Sequence, residues 1–116
     1  MVVGVCSDSD VLKAKGPTVY TEMERADMIR ECKWVHEVIV GVPYTVTVSS
    51  LDKYNCKFYA HGDDIAVNEF GEDASKEIKE SGWYREFKRT WGVSTTNIVG
   101  KLLLNIWHNM EPDMPK

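Results

Sequence analysis

The sequence predicts an α/β chain, a doubly wound Rossmann-like parallel sheet. Two observations carry that expectation. Short runs rich in β-branched and aromatic residues alternate with stretches of helical spacing, the pattern of parallel strands joined by helical crossovers. Each run then stops at a polar or Gly/Asp-rich stretch, as buried strands do where they reach a ligand-facing rim. With 116 residues, 43% of them hydrophobic and 28% charged, the composition is that of one globular domain. That domain is expected over residues 1–109, with 110–116 as a flexible tail holding two prolines.

In chain order, Val2 to Val5 is the first strand and ends at Cys6-Ser7-Asp8-Ser9-Asp10, read as a polar loop. Lys13 to Thr18 contains Gly16-Pro17 and is a loop. Thr21, followed by Glu24 and Arg25, caps a helix that carries Met28, Ile29 and Cys32 on one face and ends near Lys33. Val35 to Val40 is the second strand, Ser49 to Tyr54 a short helix, and Phe58 to His61 a third strand closing into Gly62-Asp63-Asp64. Asn68 to Glu72 is an exposed loop. Ala74 to Glu80 is a charged helix ended by Gly82, and Trp83 to Phe87 is the last strand. Ser94 opens a helix with Ile98, Val99, Leu102, Leu103 and Ile106 at helical spacing. Trp34, Trp83, Trp91 and Trp107 supply apolar area for a core.

Charge and cysteine content narrow the function classes. A formal net charge of -4 argues against general binding to nucleic acid or acidic membranes, while leaving room for a local basic phosphate site. Cys6, Cys32 and Cys56 are odd in number, widely spaced and without a CxxC pair, so neither a disulfide framework nor a zinc site is expected. That usage suits a cytoplasmic protein. No apolar run approaches the ~20 residues of a membrane span, and Met1 to Val5 is too short for a signal-peptide core. The expected partners are small molecules.

Cys6-Ser7-Asp8, His61-Gly62-Asp63-Asp64 and Arg89-Thr90 all follow predicted strands and are expected to converge on one rim, and three constellations carry chemistry. In Arg89-Thr90-Trp91-Gly92-Val93-Ser94-Thr95-Thr96, Gly92 lets the backbone approach a ligand closely. Ser94, Thr95 and Thr96 offer hydroxyls and free N–H groups at a helix start, and Arg89 can bridge phosphate oxygens. An ordinary Ser/Thr helix cap has the same pattern. Lys15-Gly16-Pro17 projects a point charge from a fixed loop, which is also what a solvated turn lysine looks like. His61-Gly62-Asp63-Asp64 sets an imidazole and two carboxylates at a strand end, suited to an amino group, or to a plain Asx-type turn.

Taken in order, these segments resemble a known family. Val3-Gly4-Val5 with Ser7-Asp8, Lys15-Gly16-Pro17, Glu24-Arg25, Trp34-Val35 with Glu37-Val38, His61-Gly62-Asp63-Asp64-Ile65 and Arg89-Thr90 with Gly92 to Thr96 are similar to the cytidylyltransferases that activate choline phosphate and ethanolamine phosphate. The likeness runs from about Val2 to Leu104. Asp52-Lys53-Tyr54-Asn55-Cys56, Tyr84-Arg85-Glu86 and Lys88-Arg89-Thr90 favour the ethanolamine branch, at its amino-terminal catalytic domain. The resemblance implies transfer of CMP from CTP to ethanolamine phosphate, giving CDP-ethanolamine and pyrophosphate in phosphatidylethanolamine biosynthesis, with magnesium on the CTP phosphates. It implies Lys15 and Arg89 as catalytic charges, and Arg89, Thr90, Gly92, Ser94, Thr95, Thr96 and Asp64 as CTP-binding. Trp34, Asp63 and His61 are implied at the acceptor, and no protein-held metal is expected.

The chain also departs from the family pattern. The family opens with a strand and a His-x-Gly-His motif, and neither stands in these residues; His36 and Trp91 occupy positions where acidic or amide residues are usual. The first expectation is therefore a fragment of a working cytidylyltransferase. The second is a non-catalytic nucleotide-binding or regulatory module associating with an intact copy, and the third an α/β remnant without nucleotide affinity. A central strand missing from the sheet would leave unpaired edges that invite a homo-oligomer.

Overall fold

The computed structural model describes residues 1–110. Its elements are β1 (Val2–Cys6), α1 (Asp8–Lys15), α2 (Glu22–Arg30), β2 (Glu37–Val42), α3 (Val48–Lys53), β3 (Tyr59–Gly62), α4 (Lys76–Ser81), β4 (Tyr84–Phe87) and α5 (Thr95–Met110). The expected α/β alternation of parallel strands holds. The expected single sheet does not: β1 pairs only with β2 and β3 only with β4, giving two parallel two-stranded sheets among the described residues. Parallel pairing needs long crossovers, and these are supplied by α1 with α2 in the first unit and by α4 in the second.

Local chemistry explains the element boundaries. Ser7, read from sequence as loop, is the N-cap of α1, its side chain accepting from the Asp10 N–H at 3.2 Å. Asp8 and Asp10 in the first turn and Lys13 and Lys15 in the last complement the helix dipole, and Gly16 at φ 103° stops the helix. Helix α2 starts with a complete capping box, in which the Thr21 hydroxyl accepts from Glu24 N–H and the Glu24 carboxylate accepts from Thr21 N–H. It ends at Arg30 rather than Lys33. Strand β2 lies two residues later than expected, and the pairing with β1 shifts register between Val5 and Cys6 so that Cys6 meets Val42. Gly41, at φ 85°, takes up the extra residue. Helix α4 begins at Lys76 and ends where Gly82 turns left-handed, at φ 83°.

The buried apolar residues are Val5, Ala26, Leu51, Ala74 and Ile78. Val5 and Ala26 belong to the β1–β2 unit, against which α2 packs; Leu51, Ala74 and Ile78 gather where α3 meets α4. The tryptophans are not core residues: Trp34 is 67% exposed, Trp91 is 96% exposed, and Trp83 and Trp107 are also exposed. Each sits in a turn, beside a strand start or on α5, with about half or more of its surface open to solvent. Helix α5 extends through Met110, one residue beyond the expected domain end, and the rest of the expected tail lies outside the described residues.

Candidate nucleotide site

The carboxyl ends of β3 and β4 bring together two of the three segments expected on one rim, His61 to Asp64 and Arg89-Thr90. Strand pairing sets His61 beside Glu86 and Gly62 beside Phe87, so the loops leaving both strands emerge side by side. There the Arg89 backbone N–H donates to Asp63 Oδ1 at 3.4 Å, and Arg89 Nη1 lies 3.8 Å from Asp64 Oδ2. That second separation is an ion pair without a hydrogen bond, and both side chains are more than half exposed. Most of the guanidinium's donors are therefore unspent. Gly62 keeps the corner open, because a Cβ there would stand 2.8 Å from Asp64 Oδ1.

Beyond Arg89 the backbone turns, Val93 N–H donating to the Thr90 carbonyl at 3.3 Å with Gly92 at φ 74°. Only a residue without a Cβ enters that left-handed region freely, so the turn requires Gly92. Ser94 then caps α5, its hydroxyl accepting from Asn97 N–H at 3.0 Å and its carbonyl accepting from Ile98 N–H at 3.0 Å. The remaining first-turn N–H groups of a helix have no internal acceptor. Arg89, Thr90, Gly92, Ser94, Thr96 and Asn97, with Trp91 and Val93, line an open cleft of about 460 Å³. A guanidinium, hydroxyls and a positive helix end around an open cleft make a place for an anion with several oxygens.

His61 is ordered from one side. Its Nδ1–H donates to the Gly62 carbonyl at 2.9 Å, which leaves Nε2 as the ring's outward nitrogen, and the ring stacks on Tyr59 with centroids 6.0 Å apart. Burial pushes the Tyr59 phenol above its ordinary value. Nearby, Lys79 Nζ pairs with Asp73 Oδ2 at 2.6 Å; this bond holds the Asp73 carboxyl below, and the Lys79 ammonium above, its ordinary value.

The Lys15 constellation and the Cys6 end of β1 are in another place. Lys15, at the exposed end of α1, lines a cleft of about 490 Å³ together with Cys6, Val11, Arg25, Ile29 and Tyr44. Arg25 is spent there, donating to the Cys6 carbonyl at 3.0 Å and to Asp8 Oδ1 at 2.7 Å, and this hydrogen bond holds the Asp8 carboxyl low. Burial raises the Cys6 thiol, which makes it a poor nucleophile, and all three cysteines are free. Trp34 does not reach the strand carboxyl ends at all: it precedes β2, at the end where Val2 pairs with Glu37, with Lys33 Nζ 4.9 Å from its ring centroid. His36 is held structurally, by the amino group and carbonyl of Met1.

Sequence reasoning passed over Tyr44. Its hydroxyl is buried without a hydrogen-bond partner, and the residue lines both the Lys15 cleft and a neighbouring cleft with Asp10, Lys13, Asn68 and Phe70. The signal was available in Pro43-Tyr44-Thr45, directly beyond β2. Ending that strand at Val40 instead of Val42 moved the tyrosine out of the strand-end position where ligand contacts are sought.

Parallel strands whose carboxyl ends lead into a Ser/Thr-capped helix are the arrangement of α/β proteins that take ligands beyond the strand ends. Comparison with known proteins agrees, because residues 1–101 match the model of the family described as cytidylyltransferase-like, and the chain belongs to that family. It is 49% identical over 104 residues to an ethanolamine-phosphate cytidylyltransferase of Mus musculus and 51% identical over 104 residues to one of Dictyostelium discoideum, each alignment covering 90% of this chain. A choline-phosphate cytidylyltransferase A of Rattus norvegicus is 39% identical over 104 residues, covering 89% of this chain. The chain spans 26%, 29% and 28% of the lengths of these three relatives. No helix among the described residues is long and apolar enough to cross a membrane.

Proposed function

We propose that this chain supplies the triphosphate-binding part of a cytidylyltransferase that joins CTP and ethanolamine phosphate to give CDP-ethanolamine and pyrophosphate. The observation that carries the reading is the cleft over the α5 amino terminus, where Arg89 stands half-exposed beside Ser94 and Thr96 in a chain of this family. Arg89, Thr90, Gly92, Ser94, Thr95 and Thr96 hold the phosphates, and Lys15 supplies a second charge from the cleft beside Tyr44. Asp64, already turned toward Arg89, orients the guanidinium or the base, while Asp63 and His61 face the acceptor from the end of β3. Transfer of this kind is positioning and charge stabilisation, with no covalent nucleophile.

Magnesium enters with the nucleotide. Mg²⁺ is a hard cation that keeps several waters and takes phosphate oxygens, so it fits a site built around the nucleotide's own phosphates. When bound, it neutralises phosphate charge. Ethanolamine phosphate is the favoured acceptor because identity to the ethanolamine-phosphate relatives reaches 51%, against 39% for the choline-phosphate relative of Rattus norvegicus. A cytoplasmic location fits the three free cysteines.

The test is a chimera of the Mus musculus relative in which the matched 104 residues are replaced by those of this chain. We expect CDP-ethanolamine from radiolabelled CTP at a rate within tenfold of the parent. A folded chimera without transfer overturns the reading, and equal or better turnover of choline phosphate overturns the acceptor.

A further inference from the structure

We infer that the Trp91 indole is a stacking platform for the nucleobase of the ligand whose phosphates the α5 cleft takes. The inference rests on the triphosphate reading above and adds the base to it. Trp91 is 96% exposed, the most open of the four tryptophans, the others standing between 47% and 67%. Its ring takes part in none of the aromatic or cation contacts among the described residues. Full burial would remove on the order of 200 Å² of such a side chain from water, and here almost all of that surface is open.

Placement gives this exposure a meaning that a scattered surface tryptophan would lack. Trp91 stands two residues after Arg89 and three before Ser94, and it lines the same cleft as Arg89, Thr90, Ser94 and Thr96. The turn that carries it has the type II signature. Val93 N–H donates to the Thr90 carbonyl at 3.3 Å, Trp91 takes the second position, and Gly92 takes the third at φ 74°. Such a turn fixes the Trp91 backbone, and an indole has only two side-chain torsions to settle. Little freedom is therefore lost when a second ring lies on it.

The neighbours' chemistry names that ring. A ligand held by Arg89, the hydroxyls of Ser94 and Thr96 and a positive helix end is a polyanion. Polyphosphate alone has nothing to lay on an indole, whereas a nucleoside triphosphate carries a flat aromatic base on the same molecule. A cationic amine over the ring would meet the Arg89 charge lining the same cleft. Stacking accepts every base, because each has a π face. Trp91 therefore supplies affinity for the base without choosing it, and the choice falls to groups that read the base's edge.

Calorimetric titration of the 116-residue chain with magnesium and three probes, CTP, UTP and inorganic tripolyphosphate, tests the inference. Because Trp91 is exposed, substitution there leaves folding intact. We expect Trp91→Gln to weaken CTP and UTP alike by about tenfold, the scale of losing one stacked base, and to leave tripolyphosphate within about twofold. Trp91→Phe, which keeps a ring, should stay within about threefold of the wild type for all three probes. Indole emission should be quenched by CTP but not by tripolyphosphate, and the quench should vanish in Trp91→Phe. Unchanged CTP binding in Trp91→Gln, equal loss for CTP and tripolyphosphate, or a quench that survives Trp91→Phe overturns the inference and leaves the triphosphate reading standing. So does quenching by ethanolamine phosphate alone, which would make the ring an amine contact. If neither CTP nor tripolyphosphate binds the wild-type chain, the triphosphate reading falls and the platform falls with it.

Discussion

Arg89 and Lys15 both carry unspent charge, and in the proposed reaction that charge meets phosphate. Arg89 touches the rest of the molecule through a 3.8 Å ion pair between exposed groups and one backbone hydrogen bond, so removing its side chain disturbs little packing. In the chimera, Arg89→Ala and Lys15→Ala should each lower kcat/KM by about 10²-fold, the scale of losing a charge-stabilising donor. Thermal stability should change by less than ~0.5 kcal/mol. Parallel kinetics and melting curves check this, and unchanged kcat/KM in either variant removes that residue from the proposed machinery. Asp8 behaves differently because its contribution is structural. Its carboxyl is held below the ordinary value of 3.8 chiefly by the hydrogen bond from Arg25, so the unfolded chain takes up its proton first as pH falls. The pair's stabilisation is then complete above pH 3.8 and is lost as pH falls below it. Asp8→Asn should flatten the acid limb of a melting-temperature profile below about pH 4 while preserving the shape near neutrality; an identical acid limb would contradict the assignment. The meeting of the Arg89 and His61 to Asp64 segments was legible in the sequence because both follow strand ends, whereas Trp34 precedes its strand and lies at the other end of β2.

Gly4 shows what the pairing of β1 with β2 requires. A Cβ at this position would stand 2.7 Å from Val42 Cγ2, and Val42 is β-branched, stiff at χ1 and committed to the register-shifted partner of Cys6. The neighbour cannot yield cheaply, so Gly4→Ala should destabilise the chain by about 1–3 kcal/mol through overpacking. Gly4→Ala combined with Val42→Ala should recover part of that loss, and chemical denaturation of the single and double variants measures the coupling; a neutral single variant would refute the tight approach. Element type was readable wherever a local signal existed. Thr21 and Glu24 announced the capping box of α2, and Gly82 announced the end of α4. Helix α1 was missed because Ser7-Asp8-Ser9-Asp10 has loop composition although Ser7 is a cap and the acids lie in a first turn. Its short, mostly polar sequence has no apolar stripe from which a period could be taken.

Pairing between strands far apart in sequence was the least legible feature. Alternation of strands and helices predicts parallel neighbours inside each crossover unit, and β1–β2 and β3–β4 are such neighbours. Nothing local specifies how one unit meets the other, and the five buried apolar residues among the described residues make a small core. Division of the molecule has a functional consequence. Arg89 and the α5 start line one cleft, while Lys15 lines another, with Tyr44 and the ion-paired Arg25. Binding a triphosphate needs only the first of these. Transfer needs charge on both sides of the reacting phosphorus at once, and each missing charge-stabilising donor costs ~10²–10³ in rate. His36 is engaged with Met1, and His61 spends its Nδ1–H on the Gly62 carbonyl. The 116-residue chain alone should therefore bind CTP with magnesium, measurably by calorimetry and more weakly as salt rises, yet form no CDP-ethanolamine above background in a radiolabelled assay at high enzyme concentration. Arg89→Ala should abolish the calorimetric signal. Robust product formation, at a rate near that of the Mus musculus relative run alongside, would show that the two clefts already work as one site, and Nε2 of His61 would be the first group to test as the missing donor.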